Sequence, residues 1–430
     1  MFIPWEKISK SFELLTPYLY KKNMRELFCD LKLKSNCAYI EKNSKVVLKK
    51  LRQKVKKEPL KVVFHVYDES KWKSQSLYDL MLQDEHFEPL VVVTKTCADK
   101  SLVSAYQPPY SVYRYYDFFK NKGMNVQYGY DVENEKFIPF SEFEPDIIIY
   151  QNPWYIETQQ GPVVTSQFAI SYYIPYFIAT SLCQNEYYLR FHQYLHAHYI
   201  LNEQVKNYYS KNMKNKGKNL RVVGHPQLDY FYLNKDKQDD KKYVIYAPHW
   251  SFSDINVLRW GTFDKTGDYI LDYAKKHPEV NWVFKPHPSL KLNIEKFISK
   301  DYAKKYYEEW SKIGICYESG DYLDLFIQSK LLITDCGSFL TEYFMTSNPV
   351  IRLVSEHANE YNDSVKEIVK TYYNVYKNED LVKRLNELLF EDKDPLKDKR
   401  KETLKKMSLS DNFAAKNILD DIKKELGIIN

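Results

Sequence analysis

The stretch Trp282-Val283-Phe284-Lys285-Pro286-His287-Pro288 sets a histidine between two prolines at the point where a short apolar run stops. Proline fixes its own φ and disfavours the helical region for the residue before it, so His287 is held at the end of the run and out of any helix. A buried strand that ends in a polar turn is the layout of an open α/β sheet, where ligands bind outside the carboxyl ends of the strands. A titratable ring there suits proton transfer or phosphate handling, and a tight turn with a solvated histidine fits the same residues. The layout recurs twice. Tyr243-Val244-Ile245-Tyr246 runs into Ala247-Pro248-His249-Trp250-Ser251, and Leu331-Leu332-Ile333-Thr334 runs into Asp335-Cys336-Gly337-Ser338.

Helical patterns separate these runs at about Tyr269 to Lys276, Ile294 to Trp310 and Phe339 to Met345, and a further strand is expected at Val350-Ile351-Arg352-Leu353. Strand, helix, strand at this spacing implies a parallel sheet with right-handed crossovers. The same alternation begins earlier, with Lys61-Val62-Val63-Phe64-His65-Val66, a helix over Ser76 to Leu82 and the run Leu90-Val91-Val92-Val93. Strands follow at Asn125 to Tyr128, Asp146 to Tyr150 and Arg221-Val222-Val223, with a helix expected at about Phe191 to Lys211. Asn234 to Lys242 is charged, lacks any apolar residue and reads as a linker. The expected organisation is a helical basic segment over 1–58 and two Rossmann-like domains, over 59–233 and 241–430. A closing helix at Asn412 to Leu426 packs back across. The fold class is therefore α/β: two doubly wound domains facing a cleft, with an N-terminal helical extension. At 430 residues the chain exceeds what one core usually supports.

Hydrophobic residues at 44% and charged residues at 28% describe a globular protein. The 39 tyrosines reflect genome base composition or suit the binding of sugars and polyols. No apolar run reaches membrane-spanning length and the start lacks the form of a signal peptide, so a cytoplasmic protein is expected. Cys29, Cys37, Cys97, Cys183, Cys316 and Cys336 show no paired spacing; they read as free thiols, and neither a metal nor another cofactor is expected. Net charge is +6, but Lys45, Lys49, Lys50, Arg52, Lys54, Lys56 and Lys57 crowd one stretch without an acid. Val47, Leu48, Leu51 and Val55 recur there at helical spacing. Such a helix lies on an anionic membrane surface, the inner face of the cell membrane, or docks its apolar stripe on its own domain. No aromatic-interleaved basic platform points to nucleic acid.

The Asp335-Cys336-Gly337-Ser338 turn opens a helix, so the N–H groups around Gly337 and Ser338 and the Ser338 hydroxyl form an anion site suited to phosphate. An ordinary capped helix, with Asp335 or Ser338 at the cap, has the same sequence. His192, His196 and His198 fall on the expected helix, where packing is a better reading than a metal site.

Taken in order, these stretches resemble the CDP-glycerol glycerophosphotransferase family, the teichoic-acid and capsule polymerases of the GT-B type. Gly224-His225-Pro226-Gln227-Leu228-Asp229 is similar to the family's G-x-P-x-x-D, and Tyr246-Ala247-Pro248-His249-Trp250 to its Y-A-P-T-W. Lys285-Pro286-His287-Pro288 belongs to the set, as does Ile333-Thr334-Asp335-Cys336-Gly337-Ser338 with Glu342 following, which resembles I-T-D-Y-S-S followed by an acid. Asn348-Pro349-Val350-Ile351 resembles K-P-I-I. The likeness is good over 220–355 and loose over 60–220.

The resemblance implies a transferase that moves a polyol phosphate from a CDP-activated donor to a hydroxyl of a cell-surface glycan or lipid-linked acceptor, releasing CMP. His287 would bind or protonate the phosphate, Gly337 and Ser338 would donate to the pyrophosphate, and Glu342 would reach the ribose hydroxyls. Asp335 and Lys285 complete the donor-binding set, Lys285 as a charge partner for phosphate or as a solvated residue. One departure stands out: the family's H-G-T-P segment, with its proposed base, is absent, and Tyr172-Tyr173-Ile174-Pro175-Tyr176-Phe177 occupies the corresponding region. His249 is the preferred substitute base, with His65 or the Gln151-Asn152-Pro153 turn as alternatives. Two other functions fit the chain: a GT-B glycosyltransferase using a nucleotide sugar, and a non-catalytic envelope or capsule assembly protein.

Overall fold

Among the described residues, thirteen short strands and the helices between them build two separate parallel sheets in the computed structural model, which describes residues 18–98, 107–178, 180, 189–234, 237, 241–252, 258–318, 322–407 and 413–429. Most of the expected linker (235, 236 and 238–240), the segment 1–17, Cys183 and Asn412 lie outside the described residues.

The first sheet contains β1 (Leu60–Val66), β2 (Phe87–Val93), β3 (Val126–Tyr128), β6 (Ile147–Tyr150), β7 (Ile170–Tyr173), β8 (Ala197–Ile200) and β9 (Leu220–Val222), in the order β3-β2-β1-β6-β7-β8-β9. A small antiparallel pair, β4 (Tyr130–Asp131) and β5 (Lys136–Phe137), stands apart from it. The second sheet contains β10 (Tyr243–Ala247), β11 (Asn281–Phe284), β12 (Ile315–Cys316), β13 (Ser329–Thr334), β14 (Val350–Leu353) and β15 (Tyr373–Val375), in the order β12-β11-β10-β13-β14-β15. Every pairing within the two sheets is parallel. In both, the chain works outward from a central strand, returns, and continues on the other side. That reversal makes each sheet doubly wound and puts a crevice beside β1 and beside β10 at their carboxyl ends.

Successive side chains of a strand point to opposite faces, so both faces of these apolar strands need cover. In the first sheet Val62, Phe64, Val91 and Ile149 enter one core, and Val63, Leu90, Val92 and Ile148 enter another. The first core is roofed by Leu77, Tyr78 and Met81 of helix Gln75–Leu82 and by Val112, Tyr115 and Phe119 of helix Ser111–Asn121. In the second sheet Val244, Tyr246, Trp282 and Phe284 pack one way while Ile245, Ala247, Val283 and Leu332 pack the other.

The long opening helix Tyr18–Lys54 carries the basic run. Val47, Leu51 and, just past the helix end, Val55 are buried in the first core with Leu48 against them, so the apolar stripe docks on its own sheet and the lysines face outward. No helix among the described residues is long and apolar enough to cross a membrane. The closing helix Ala414–Leu426 puts Ala415, Ile418, Leu419, Ile422 and Leu426 into the same first core, although its sequence follows the second sheet. Each such aliphatic side chain contributes roughly 1.5–3 kcal/mol of burial. Its polar side is tied down by Arg221, which bonds Asp421 and Glu425, and by Tyr172 and His196, which bond Glu425 at 2.6 and 2.8 Å.

Two expected helices differ from the structure. Phe191 to Lys211 divides into a short 3-10 turn (Arg190–Gln193), β8 and helix Glu203–Asn212. Ala197-His198-Tyr199-Ile200 is fully buried between β7 and β9, and burial in a sheet overrides helical spacing. Asn202 then starts the helix by accepting the Val205 N–H at 3.0 Å. The pattern over Ile294 to Trp310 likewise breaks into Leu290–Phe297 and Lys300–Ile313, where Ser299 caps the second helix through the Tyr302 N–H.

Candidate functional site

Strands β11, β10 and β13 are neighbours, so the three polar turns that follow them emerge side by side at the crevice of the second sheet. Short bonds lock the turns together. Thr334 Oγ1 donates to the Ala247 carbonyl at 2.6 Å, and the His287 N–H donates to the Pro248 carbonyl at 3.1 Å. Asp335 is the knot: Oδ1 accepts the His249 N–H at 2.5 Å, while Oδ2 accepts the Thr262 N–H and hydroxyl at 2.6 and 2.9 Å. Burial pushes the Asp335 carboxyl up to about 6 against the pull of those donors. Both oxygens serve the protein itself, so Asp335 shapes the loops in place of the donor contact expected of it.

His249 and His287 face each other with ring centroids 5.1 Å apart. The Ser251 hydroxyl accepts the Trp260 N–H at 3.1 Å, leaving its proton for His249 Nδ1 at 2.7 Å. His287 Nδ1 accepts the Ser289 N–H at 3.1 Å. A ring nitrogen that accepts carries no proton, so both neutral imidazoles bear their proton on Nε2. Burial lowers both rings, His287 to about 4 with Lys285 assisting, His249 well below its ordinary range with His287 assisting. The expectation that His249 serves as base conflicts with this hydrogen-bond pattern, because its accepting lone pair is already engaged.

Lys285 is buried, with Nζ 4.4 Å from the Tyr322 ring centroid and 5.1 Å from that of Phe339. Desolvation lowers it to about 8, partly offset by Cys336 and Glu342, so it remains mostly cationic at neutral pH. Glu342 is also buried. Its Oε2 accepts the Tyr322 hydroxyl at 2.7 Å, which in turn takes a bond from Gln227 at 3.1 Å. Burial raises the Glu342 carboxyl while Lys73, Tyr322 and Lys285 pull it down. Lys73, in the turn after β1, also lies over the Tyr322 ring at 5.5 Å, so the first sheet contributes a cation to this crevice.

Helix Gly337–Phe344 begins with no side-chain cap at Cys336. Its first N–H groups follow β13 directly, and Ser338 there is partly exposed, its hydroxyl 3.4 Å from Cys336 Sγ. Gly337 is required by packing: a Cβ there would lie 2.6 Å from the Trp260 ring. His249, His287, Lys285 and the start of the helix bearing Gly337, Ser338 and Glu342 thus lie on neighbouring turns at the carboxyl end of the second sheet, with Asp335 bracing them.

Other candidates are elsewhere. His65 is buried between Phe140 and Tyr150 under the first sheet and is no base. His192 and His198 stack at 5.0 Å within a buried aromatic cluster, while His196 belongs to the closing-helix network; no metal-holding group occurs among the described residues. Gln151 and Asn152 are buried at the carboxyl end of β6, on the opposite side of the crevice.

The profile of one protein family spans residues 45–424. The chain belongs to the CDP-glycerol:poly(glycerophosphate) glycerophosphotransferase family. The match extends well beyond 220–355, where the motifs are plainest. Among solved structures, the glycerophosphotransferase is similar to the wall teichoic acid polymerase TagF soaked with CDPG, at 14% identity and TM-score 0.59, covering 93% of this chain and 98% of that one. It is also similar to S. aureus MnaA with UDP (15%, 0.54, covering 86% and 98%) and to UDP-GlcNAc 2-epimerase from Neisseria meningitidis bound to UDP-GlcNAc (14%, 0.54, covering 85% and 100%). At these identities the likeness establishes the GT-B-like fold. No curated protein matches the chain.

Several residues of the glycerophosphotransferase site escaped sequence reasoning. Ser251 and Thr262 act through loops whose conformation no local pattern encodes, and Lys73 and Tyr322 meet only in three dimensions. The G-x-P-x-x-D motif proves to be a joint. Gly224 takes φ +95°, His225 accepts the Gln227 N–H and donates through Nε2 to the Pro175 carbonyl at 2.9 Å, and Asp229 caps the closing helix at the Ala414 and Ala415 N–H groups.

Proposed function

We propose that the three turns hold the diphosphate of a CDP-polyol, CDP-glycerol by family, while the first sheet presents an acceptor hydroxyl of an envelope glycan or lipid-linked glycan. The hydroxyl oxygen attacks the β-phosphorus and forms a new P–O bond. The bond from that phosphorus to the oxygen bridging to the α-phosphate breaks, and CMP departs with the electron pair. Phosphoryl-type transfer passes through a loose transition state in which positioning and charge stabilisation dominate. The donor set fits that demand: Nε2–H of His249 and His287, the Lys285 ammonium, and the N–H groups at Gly337 and Ser338. A loose transition state loses the acceptor proton late, so two imidazole donors suit it better than a strong base. Glu342 holds Lys285 and Lys73 in place through Tyr322 and their mutual attraction.

The observation that carries this reading is the pair of histidine rings 5.1 Å apart, each with Nδ1 accepting a backbone N–H, on turns next to a helix start without a side-chain cap. Incubation of the full chain with CDP-glycerol and a glycan acceptor should release CMP and lengthen the acceptor by one glycerol phosphate. Release of CMP from no CDP-polyol under any acceptor would contradict it. For membrane association, exposed Lys45, Lys49, Lys50, Lys56 and Lys57 support a mainly electrostatic contact with anionic lipid, since the stripe of Val47, Leu51 and Val55 is already buried. Flotation with anionic vesicles that weakens steeply with salt tests this; salt-independent flotation, or none, would count against it.

A further inference from the structure

The first sheet's side of the crevice carries a group of aromatic rings that the donor site leaves unused. Trp154 and Phe177 lie nearly parallel, 15° apart in plane with centroids at 5.9 Å, and Tyr176 packs edgewise on both at 5.9 and 5.0 Å. All three are partly exposed, and none joins any of the four hydrophobic cores. They occupy the loops after β6 and β7, at the carboxyl edge where acceptor loops should lie. Exposed, contiguous aromatic surface that serves no core marks a ligand or partner site.

The group is also held rigidly against the donor half. The Asn152 side chain bonds both the N–H and the carbonyl of Trp154, and the Tyr176 N–H donates to Gln151 O at 3.1 Å. The Pro175 carbonyl is tied to His225 at 2.9 Å, and the Thr180 carbonyl accepts the Asn362 N–H of the second half at 2.9 Å. Lys71 sits over Tyr176 at 5.1 Å, and Lys73, in the same turn, reaches Tyr322 of the donor site. Lys71 is itself paired with Asp68 at 3.8 Å, so what remains is a fixed aromatic face, preorganised for the C–H face of a sugar ring.

We propose that Trp154, Tyr176 and Phe177 form an acceptor subsite that stacks on the face of a pyranose ring carrying the attacking hydroxyl. The hydroxyl's role rests on the transferase reading; the stacking does not. A flexible glycerol phosphate oligomer has no ring face to offer these side chains. The rings stand in the region where the family's H-G-T-P segment is missing, so this chain has an aromatic shelf there.

The test is direct titration of the full chain with methyl N-acetyl-β-glucosaminide and methyl β-galactopyranoside, against glycerol 3-phosphate, with CMP affinity measured alongside. The wild-type chain should bind a pyranoside more tightly than glycerol 3-phosphate. Trp154→Ala and Phe177→Ala should weaken the pyranoside by about tenfold or more with CMP affinity unchanged, while Trp154→Phe keeps most of it. Pyranoside affinity equal to wild type in both alanine variants, or no pyranoside binding by a chain that binds CMP, would overturn the subsite. Pyranoside binding without CMP release from CDP-glycerol would uphold the subsite and sink only the transfer reading.

Discussion

The imidazoles of His249 and His287 lie 5.1 Å apart at the ends of two adjacent strands, each with Nδ1 engaged as an acceptor and Nε2 left to donate. Nothing in the spacing of the two motifs announces this; it follows from β10 and β11 pairing in parallel register. Two donors converge where a diphosphate would develop charge, and burial keeps both rings neutral above the acid range.

Removing either donor should therefore act on the transition state. His287→Ala and His249→Ala are each expected to lower kcat by about 10²–10³-fold with a smaller change in KM. His287→Gln, which restores an N–H, should recover part of the loss. Steady-state CMP release measures this, and an unchanged kcat in His287→Ala would remove that ring from the reaction.

Lys285 sets the alkaline limb. Burial lowers its ammonium to about 8, so kcat/KM for the donor should fall as pH rises through that value and the charge is lost. Stability runs the other way. Between about 8 and the ordinary 10.5 the unfolded chain binds this proton and the folded one does not, so the fold gains stability as pH rises across that window. Lys285→Met should abolish the limb and weaken donor binding at neutral pH. A pH profile of the variant that still falls near 8 would assign the limb to another group.

Asp335 is expected to matter for structure first. Asp335→Ala strands the buried His249 and Thr262 N–H groups, while the Thr262 hydroxyl keeps Thr266, at a cost of about 2 kcal/mol or more. Denaturant unfolding should show that loss together with weaker CMP binding, because the His249 turn is no longer held. A variant of wild-type stability would mean the loops are braced by other contacts.

Gly337→Ala tests the helix start. The added methyl meets the Trp260 ring at 2.6 and 2.7 Å, and that ring is buried with its N–H bonded to the Asn359 carbonyl, so it cannot easily swing away. Overpacking of this kind costs typically 1–3 kcal/mol. Thermal unfolding and CDP affinity should both decline; no change in either would show that the turn has slack.

Much of this architecture was legible because its strands are short apolar runs that stop at proline, glycine or histidine turns. Tyr246, Phe284 and Thr334 end strands close to where the residues alone suggested, and His287, Gly337 and Ser338 lie on turns of the strands that flank β10. Ala197-His198-Tyr199-Ile200 was misread as helix because its neighbours keep helical spacing while its own burial comes from strands distant in sequence. The closing helix was legible as a helix, but its docking on the first sheet depends on Asp229, Arg221 and Tyr172. Asp335 looked like a ligand contact from its place in the motif; only the positions of Thr262 and the His249 N–H show it bracing the loops. Lys73 and Tyr322 carry no local signal, since their meeting requires both sheets.

The most direct test of the three-turn diphosphate grip is the dissociation constant of CDP-glycerol for the full chain and for its Lys285→Ala and His287→Ala variants, measured by isothermal titration at neutral pH. Saturable binding by the wild type, weakened at least tenfold in each variant, is the predicted result. Equal affinity in all three chains, or none in any, would contradict it.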